Sequence, residues 1–345
     1  EMRLINFHSD TATLPSPEMR QAIFEAEMGD DVSGEDPSAN RLQEMAAHML
    51  GKEDAVIVSS GTMGNLVASL SHCERGDEMI IGELSHISRG EAGGPSVLGG
   101  ISMKTLMEDD RGRLDPGEVE AAIHPDNFHY PKTAMVAIEN THNASGGTPL
   151  TPEDTKAVAD VAHRHELPLH VDGARLFDAA VALETPASEL VKDADSVTFC
   201  LSKSLGCPVG SVLCGTHEFV DNARRWRKVL GGGMRQVGVF ASAGIYALEN
   251  NIDRLAEDHA NARRLAQGLA KIPGISIDLD KVHTNLVFFE ITEGDPAELA
   301  RKLSKRGVQG GNPERRWRFV PHYGISSGDI DHALDVIDST FRESR

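Results

Sequence analysis

The chain has 345 residues, 40% of them hydrophobic and 25% charged, and a formal net charge of −19. That length suits a large domain plus a smaller one, while the acidity excludes nucleic acid and anionic membrane surfaces as partners, since both need concentrated basic charge. No apolar run reaches the roughly 18–20 residues of a membrane span, and four cysteines without a C-x-x-C pair point away from disulfides and zinc, toward reduced thiols in the cytoplasm.

The opening segment, to about Pro37, is polar and turn-rich, with Ser9-Asp10-Thr11 near its start and an irregular loop over residues 29–37. Residues 40–50 carry apolar side chains at helical spacing and stop at Gly51. Short apolar runs at 55–59, 79–81, 134–139, 169–171 and 196–201 then read as strands, with helices at 63–73, 152–165 and 187–192. This alternation predicts an α/β fold with a mostly parallel central sheet flanked by helices. Near Leu248 the character changes. A long amphipathic helix at 252–271 leads into apolar segments at 275–279, 286–291 and 316–321 and helices at 296–305 and 330–341. The division expected is a large domain over 1–250, including the N-terminal arm, and a small C-terminal α/β domain over 251–345.

Two candidate strands end in chemistry. The run at 169–171 stops at Asp172-Gly173-Ala174-Arg175, and the run at 196–201 stops at Ser202-Lys203. Open α/β sheets bind ligands at such carboxyl ends. Pyridoxal 5'-phosphate needs a lysine to hold its aldehyde and a carboxylate facing its pyridine nitrogen. Its phosphate needs an anion cradle, and Ser59-Ser60-Gly61-Thr62 is a small-residue turn that opens a helix. Neither a Walker lysine nor a full G-x-G-x-x-G string is present. His86, just past a strand, has the chemistry to stack on a planar cofactor and to take a proton. Arg175 and Arg318 are candidate clamps for a substrate carboxylate, because a guanidinium grips one in two places. The basic run 224–228 reads as a solvated helix face or a subunit contact.

Taken in order, Ser9-Asp10-Thr11, the segment 29–37, Ser60-Gly61-Thr62, Ser85-His86-Ile87, Glu139-Asn140-Thr141-His142-Asn143, Asp172-Gly173-Ala174-Arg175, the segment 202–210 and Gly231-Gly232-Gly233-Met234-Arg235-Gln236 resemble the threonine aldolase family, within the fold-type I pyridoxal-phosphate enzymes. The resemblance spans nearly the whole chain. It implies that Lys203 carries the cofactor, Asp172 pairs with its ring nitrogen, Gly61 and Thr62 bind its phosphate and His86 stacks on its ring. Ser9, Arg175 and Arg318 would hold the substrate carboxylate, and His129 matches a second active-site histidine. Lys228 and Arg235 match positions that reach a neighbouring subunit's phosphate, which implies a homo-oligomer, a dimer or a dimer of dimers, with shared sites. Relatives carry a structural cation near the segment matching Thr11 and Thr13.

The implied reaction is cleavage of an L-β-hydroxy-α-amino acid to glycine and an aldehyde. His86 and His129 both remain open as the base. The same lysine and aspartate would also serve a β-eliminating lyase or an aminotransferase, and a catalytically silent scaffold is the non-enzymatic alternative. One departure concerns Ser33, which stands in the loop at 29–37 where the family commonly has an aromatic residue.

Overall fold

The computed structural model describes residues 3–344. Its strands are β1 (Ile5–Asn6), β2 (Asp54–Val58), β3 (Glu78–Gly82), β4 (Ser102–Leu106), β5 (Thr133–Glu139), β6 (Leu169–Asp172), β7 (Ser196–Cys200), β8 (Ser211–Gly215), β9 (Ile275–Ser276), β10 (Val287–Ile291), β11 (Val308–Gln309) and β12 (Arg316–Phe319). The central sheet runs β2-β8-β7-β6-β5-β3-β4. All of its pairings are parallel save the two made by β8.

Strands β3, β5, β6, β7 and β8 are buried at every residue. A sheet covered on both faces demands this, and it is why these strands read as continuous apolar runs. Strand β4 differs. It forms the sheet's edge, and its exposed Ser102, Lys104 and Thr105 suit a position where pairing with other chains must be discouraged.

Covering helices begin where the sequence supplies caps. Asp36 accepts from the backbone of Ala39 to start Pro37–Leu50, and Gly51 closes that helix in the left-handed region (φ 63°). Thr151 and Asp154 form a reciprocal capping box for Pro152–Arg164. The four cysteines are buried and unpaired. Among the described residues no helix is long and apolar enough to cross a membrane.

A second core gathers Leu265, Phe289, Trp317, Phe319, Ile330 and Phe341, together with Ile5 and Phe7 from the other end of the chain. Its sheet runs β12-β10-β9 and is antiparallel. Strand β1 pairs in parallel with β11, and the Phe7 ring stacks on Phe319 with centroids 5.0 Å apart. The opening segment is therefore not simply a polar arm. It is stitched into the C-terminal core, then crosses to the large sheet. Because β2 lies antiparallel to β8 and β8 to β7, strands β2, β3, β5, β6 and β7 all turn their carboxyl ends to one edge. Gly61, Thr62, His86, Asp172 and Lys203 lie at that edge.

Candidate active site

Asp172 closes β6, 2% exposed. Its carboxylate accepts from the backbone of Ala174 (3.1 Å) and from Asn65 Nδ2 (2.9 Å). Burial, then the nearby Glu139 and Glu91, push its pKa up to about 7, while Lys203 and His86 pull the other way. Burial and the two neighbouring carboxyl groups thus outweigh Lys203 and His86 at this group. Lys203 follows β7 in the turn that leaves the sheet and is half-buried. Its ammonium is near enough to lower Asp10 and Asp172.

His86 opens a one-turn helix, His86–Arg89, just after β3. Its backbone donates to Glu139 Oε2 (2.6 Å), and its Nδ1 lies 2.9 Å from Glu91 Oε1. Glu91 is 4% exposed, and that hydrogen bond is the main reason the imidazole pKa is raised, against the opposing effect of burial. Ligating-type atoms of His86, Glu91 and Asp172 all fall within 4.8 Å of one another. Residue 90 has to be glycine for this arrangement, since a Cβ there would stand 2.7 Å from the His86 ring.

Arg175 is buried beside Asp172 and grips Asp10 bidentately, Nε to Oδ2 at 2.7 Å and Nη2 to Oδ1 at 2.9 Å. Asp10 is fully buried and also accepts from Ser204 Oγ (3.1 Å) and Asn285 Nδ2 (3.2 Å). Burial alone would raise its carboxyl; the charge and hydrogen bonds of Arg175 override that and hold it well below the usual range. Ser9 Oγ receives the backbone N–H of Thr11 (3.2 Å) and lies 3.3 Å from Asp10 Oδ1. Arg318 of β12 reaches in from the second core, donating to Asn143 Oδ1 (2.9 Å) and to the carbonyl of His8 (3.3 Å). Burial and the positive charge of Arg175 both lower its pKa. The charge of Arg175 is thus felt at Arg318, with Asp10 opposing it, and two guanidinium groups in one neighbourhood suit an anion.

Gly61 and Thr62 begin the helix Gly61–His72, capped by Ser60 Oγ on Met63 N (3.1 Å). Gly61 sits directly against Cys200, where a Cβ would be 2.7 Å from Sγ. Pyridoxal phosphate fits what is present. A lysine and an under-neutralised buried carboxylate end adjacent strands, an imidazole lies beside them, and the helix start nearby presents free backbone N–H groups.

Other sequence candidates stand elsewhere. His129 is exposed, donates its backbone N–H to Asn127 Oδ1 (3.0 Å) and lays its ring against Phe128 at 4.1 Å; the structure does not bring it to His86. Lys228 lines a separate cavity of about 650 Å³ with Ser33, Gly34, Arg224, Arg225 and Arg227. Arg235 is exposed and pairs with Asp30 at 3.2 Å. Thr11 is exposed, and the Thr13 hydroxyl donates to the carbonyl of Asp10 (2.6 Å). Sequence reasoning missed Asp10, Asn65, Glu91, Glu139 and Asn285 as parts of the site. Asp10 was visible inside Ser9-Asp10-Thr11 and Glu139 inside Glu139-Asn140-Thr141-His142-Asn143, whereas Asn65, Glu91 and Asn285 were assigned no role from local sequence.

Residues 6–292 match the model of a family described as β-eliminating lyase. A low-specificity L-threonine aldolase of Arabidopsis thaliana is 45% identical over 341 residues, covering 96% of this chain and 95% of the relative. The low specificity L-threonine aldolase of Escherichia coli K12 is 44% identical, covering 94% and 95%. The chain belongs to the β-eliminating lyase family, among its threonine aldolases. A threonine aldolase structure from Leishmania major superposes with a TM-score of 0.83 at 20% identity, over 97% of this chain and 99% of that one, in keeping with a fold-type I architecture. As a member of this family the chain is a pyridoxal-phosphate-dependent lyase.

Proposed function

We propose that this chain catalyses reversible cleavage of an L-β-hydroxy-α-amino acid, threonine or allo-threonine, to glycine and acetaldehyde. The observation that carries this reading is the His86–Glu91 pair beside Lys203. Transamination and β-elimination move protons at Cα, where the lysine suffices. Aldol cleavage also needs a base at the β-oxygen, and a histidine oriented by a buried carboxylate is such a base.

Lys203 would hold the cofactor's aldehyde carbon, Asp172 its ring nitrogen, Gly61 and Thr62 its phosphate, and His86 one face of its ring. When bound, the cofactor supplies the electron sink for the carbanion left at Cα. Arg175, made rigid by Asp10, and Arg318 opposite it clamp the substrate carboxylate, with Ser9 at the edge. That grip fixes rotation about Cα, so it decides which bond is aligned to break. Glu91 occupies Nδ1 of His86, leaving Nε2 to accept the β-hydroxyl proton. His129 is assigned no step.

The protein acts as a homo-oligomer, a dimer of dimers, in which Lys228 and Arg235 reach the phosphate held by a neighbour. Exposed Leu14 (78%), Phe24 (84%) and Met28 (56%) support an interface along the opening segment. Its unpaired thiols suit the cytoplasm, where the reaction would consume threonine and form glycine.

Incubating the purified protein with L-threonine and L-allo-threonine tests the reaction: acetaldehyde plus glycine is the expected pair. Ammonia with a keto acid would assign β-elimination instead, and a new amino acid would assign transamination. His86→Asn should lower kcat by about 10²–10⁴-fold, the usual scale of general-base assistance, with KM little changed. Glu91→Gln should move the acid limb of kcat/KM to lower pH. Glu91 raises the imidazole pKa, so removing its charge lets His86 stay neutral, and basic, at lower pH.

A further inference from the structure

Asn65 sits on the helix Gly61–His72, 1% exposed. Its single amide nitrogen serves two carboxylates, Glu91 Oε1 and Asp172 Oδ2, each at 2.9 Å. Behind it, Oδ1 lies 3.1 Å from His170 Nε2, His170 Nδ1 lies 2.9 Å from Ser196 Oγ, and Ser196 Oγ lies 2.8 Å from His72 Nε2.

Every hydrogen in this chain can be placed. The Asn65 NH₂ stands 2.9 Å from an oxygen of each carboxylate, and its carbonyl oxygen faces His170 at 3.1 Å. His170 must then donate from Nε2, which leaves Nδ1 to accept the Ser196 hydroxyl proton. Ser196 in turn accepts from His72 Nε2–H. Burial pushes His170 down to about 3 and His72 to about 4, so both rings are neutral at working pH and these tautomers stand. The chain has one polarity, pointing at the two carboxylates.

We propose that Asn65, aimed by His170, is a positioning residue that locks together the carboxylate facing the cofactor ring and the carboxylate orienting the His86 base. The inference rests on the reading of the site given above. Glu91 is one of the groups that raise Asp172 in this buried setting, and one NH₂ group shared between them holds the two carboxyl groups at a fixed separation. No other uncharged side chain except glutamine carries two donor hydrogens on one atom and an acceptor oxygen on the same carbon. The charged and titratable groups around Asp172 include Glu139, Glu91, Lys203, His86, His142 and Cys200, and His72 acts on His170.

The test uses the cofactor-loaded enzyme and the variants Asn65→Leu, His170→Leu and His170→Gln. Asn65→Leu should move the pH midpoint of the cofactor's visible band by about one unit, the scale of a lost hydrogen bond to a charged group. It should also lower kcat by about tenfold, while KM for threonine stays within about twofold. His170→Leu should shift both readouts the same way, and His170→Gln, whose Nε2 can still donate to Asn65, should restore them. Parent-like midpoints and kcat in both leucine variants, with only a lower melting temperature, would overturn the proposal. If Asn65→Leu does not fold, the two His170 variants decide it. A parent protein that shows no visible band and releases no aldehyde would sink the functional reading instead. The titration of His86, followed by nitrogen NMR without cofactor, then decides the inference: a midpoint unchanged in His170→Leu overturns it, and a shift of about half a unit or more supports it.

Discussion

Lys203→Ala is expected to abolish the visible absorption of the cofactor-loaded protein and to cut aldehyde release from threonine by about 10⁴-fold or more, as when the covalent partner of a catalytic unit is removed. The geometry explains why nothing replaces it. Lys203 leaves the carboxyl end of β7, next to Asp172 at the end of β6, and both Asp10 and Asp172 feel its charge. Lys203→Arg separates the two contributions of the side chain. The guanidinium keeps the positive charge, so Asp10 and Asp172 stay as they are, but it cannot hold the aldehyde. Arginine should therefore fail as completely as alanine. A retained band with more than about a hundredth of parental activity in either variant would mean that another group carries the cofactor.

Asp10→Asn should be the most destabilising single change at the site, costing about 3–5 kcal/mol, because it leaves a buried guanidinium without its counter-charge. Arg175 cannot shed its proton to escape that cost. The exposed pair Arg41–Glu249, with side chains 61% and 45% accessible, is the control; removing it should cost at most about 1 kcal/mol. Denaturant unfolding of the three proteins checks this, and an Asp10→Asn effect no larger than the control would show the ion pair to be inconsequential. KM for threonine should rise as well, since Arg175 loses the partner that aims it. The pH dependence follows from the sign of the shift. The folded-state pKa of Asp10 is depressed, so its contribution is complete above the unfolded value of about 3.9 and declines only as the solution is made more acidic.

Most of the central sheet was readable because strands buried on both faces write themselves as apolar runs. β5, β6 and β7 came out within a residue or two, and Asp172 and Lys203 announced themselves by ending such runs. Strand β8 was missed because Ser211 and Gly215 dilute a short run that follows a glycine-rich turn. Strand β4 was missed because this edge strand carries only two apolar residues, Met103 and Leu106, among three exposed polar ones. Asn65 and Glu91 escaped for a different reason. Each looks like an ordinary polar residue until its partner is known, and Asn65 meets Asp172 across 107 positions of sequence. Asp10 was in view as part of a motif, yet nothing local says that its partner is Arg175. In the opposite direction, His129 was carried forward by resemblance, and the structure leaves it on an exposed loop.

The pairing of β1 with β11 also sets a timetable for the newborn chain. Ile5 emerges from the ribosome roughly 300 residues before Val308, its partner, a delay of about 15–60 s at ordinary rates of synthesis. Until then Phe7 has no Phe319 to stack on and Asp10 hangs from an unanchored tether. The substrate clamp is consequently assembled only after β11 and β12 have been made. A C-terminal truncation that removed β11 and β12 would leave the Lys203 and Asp172 strands intact while letting go of the opposite end of the molecule.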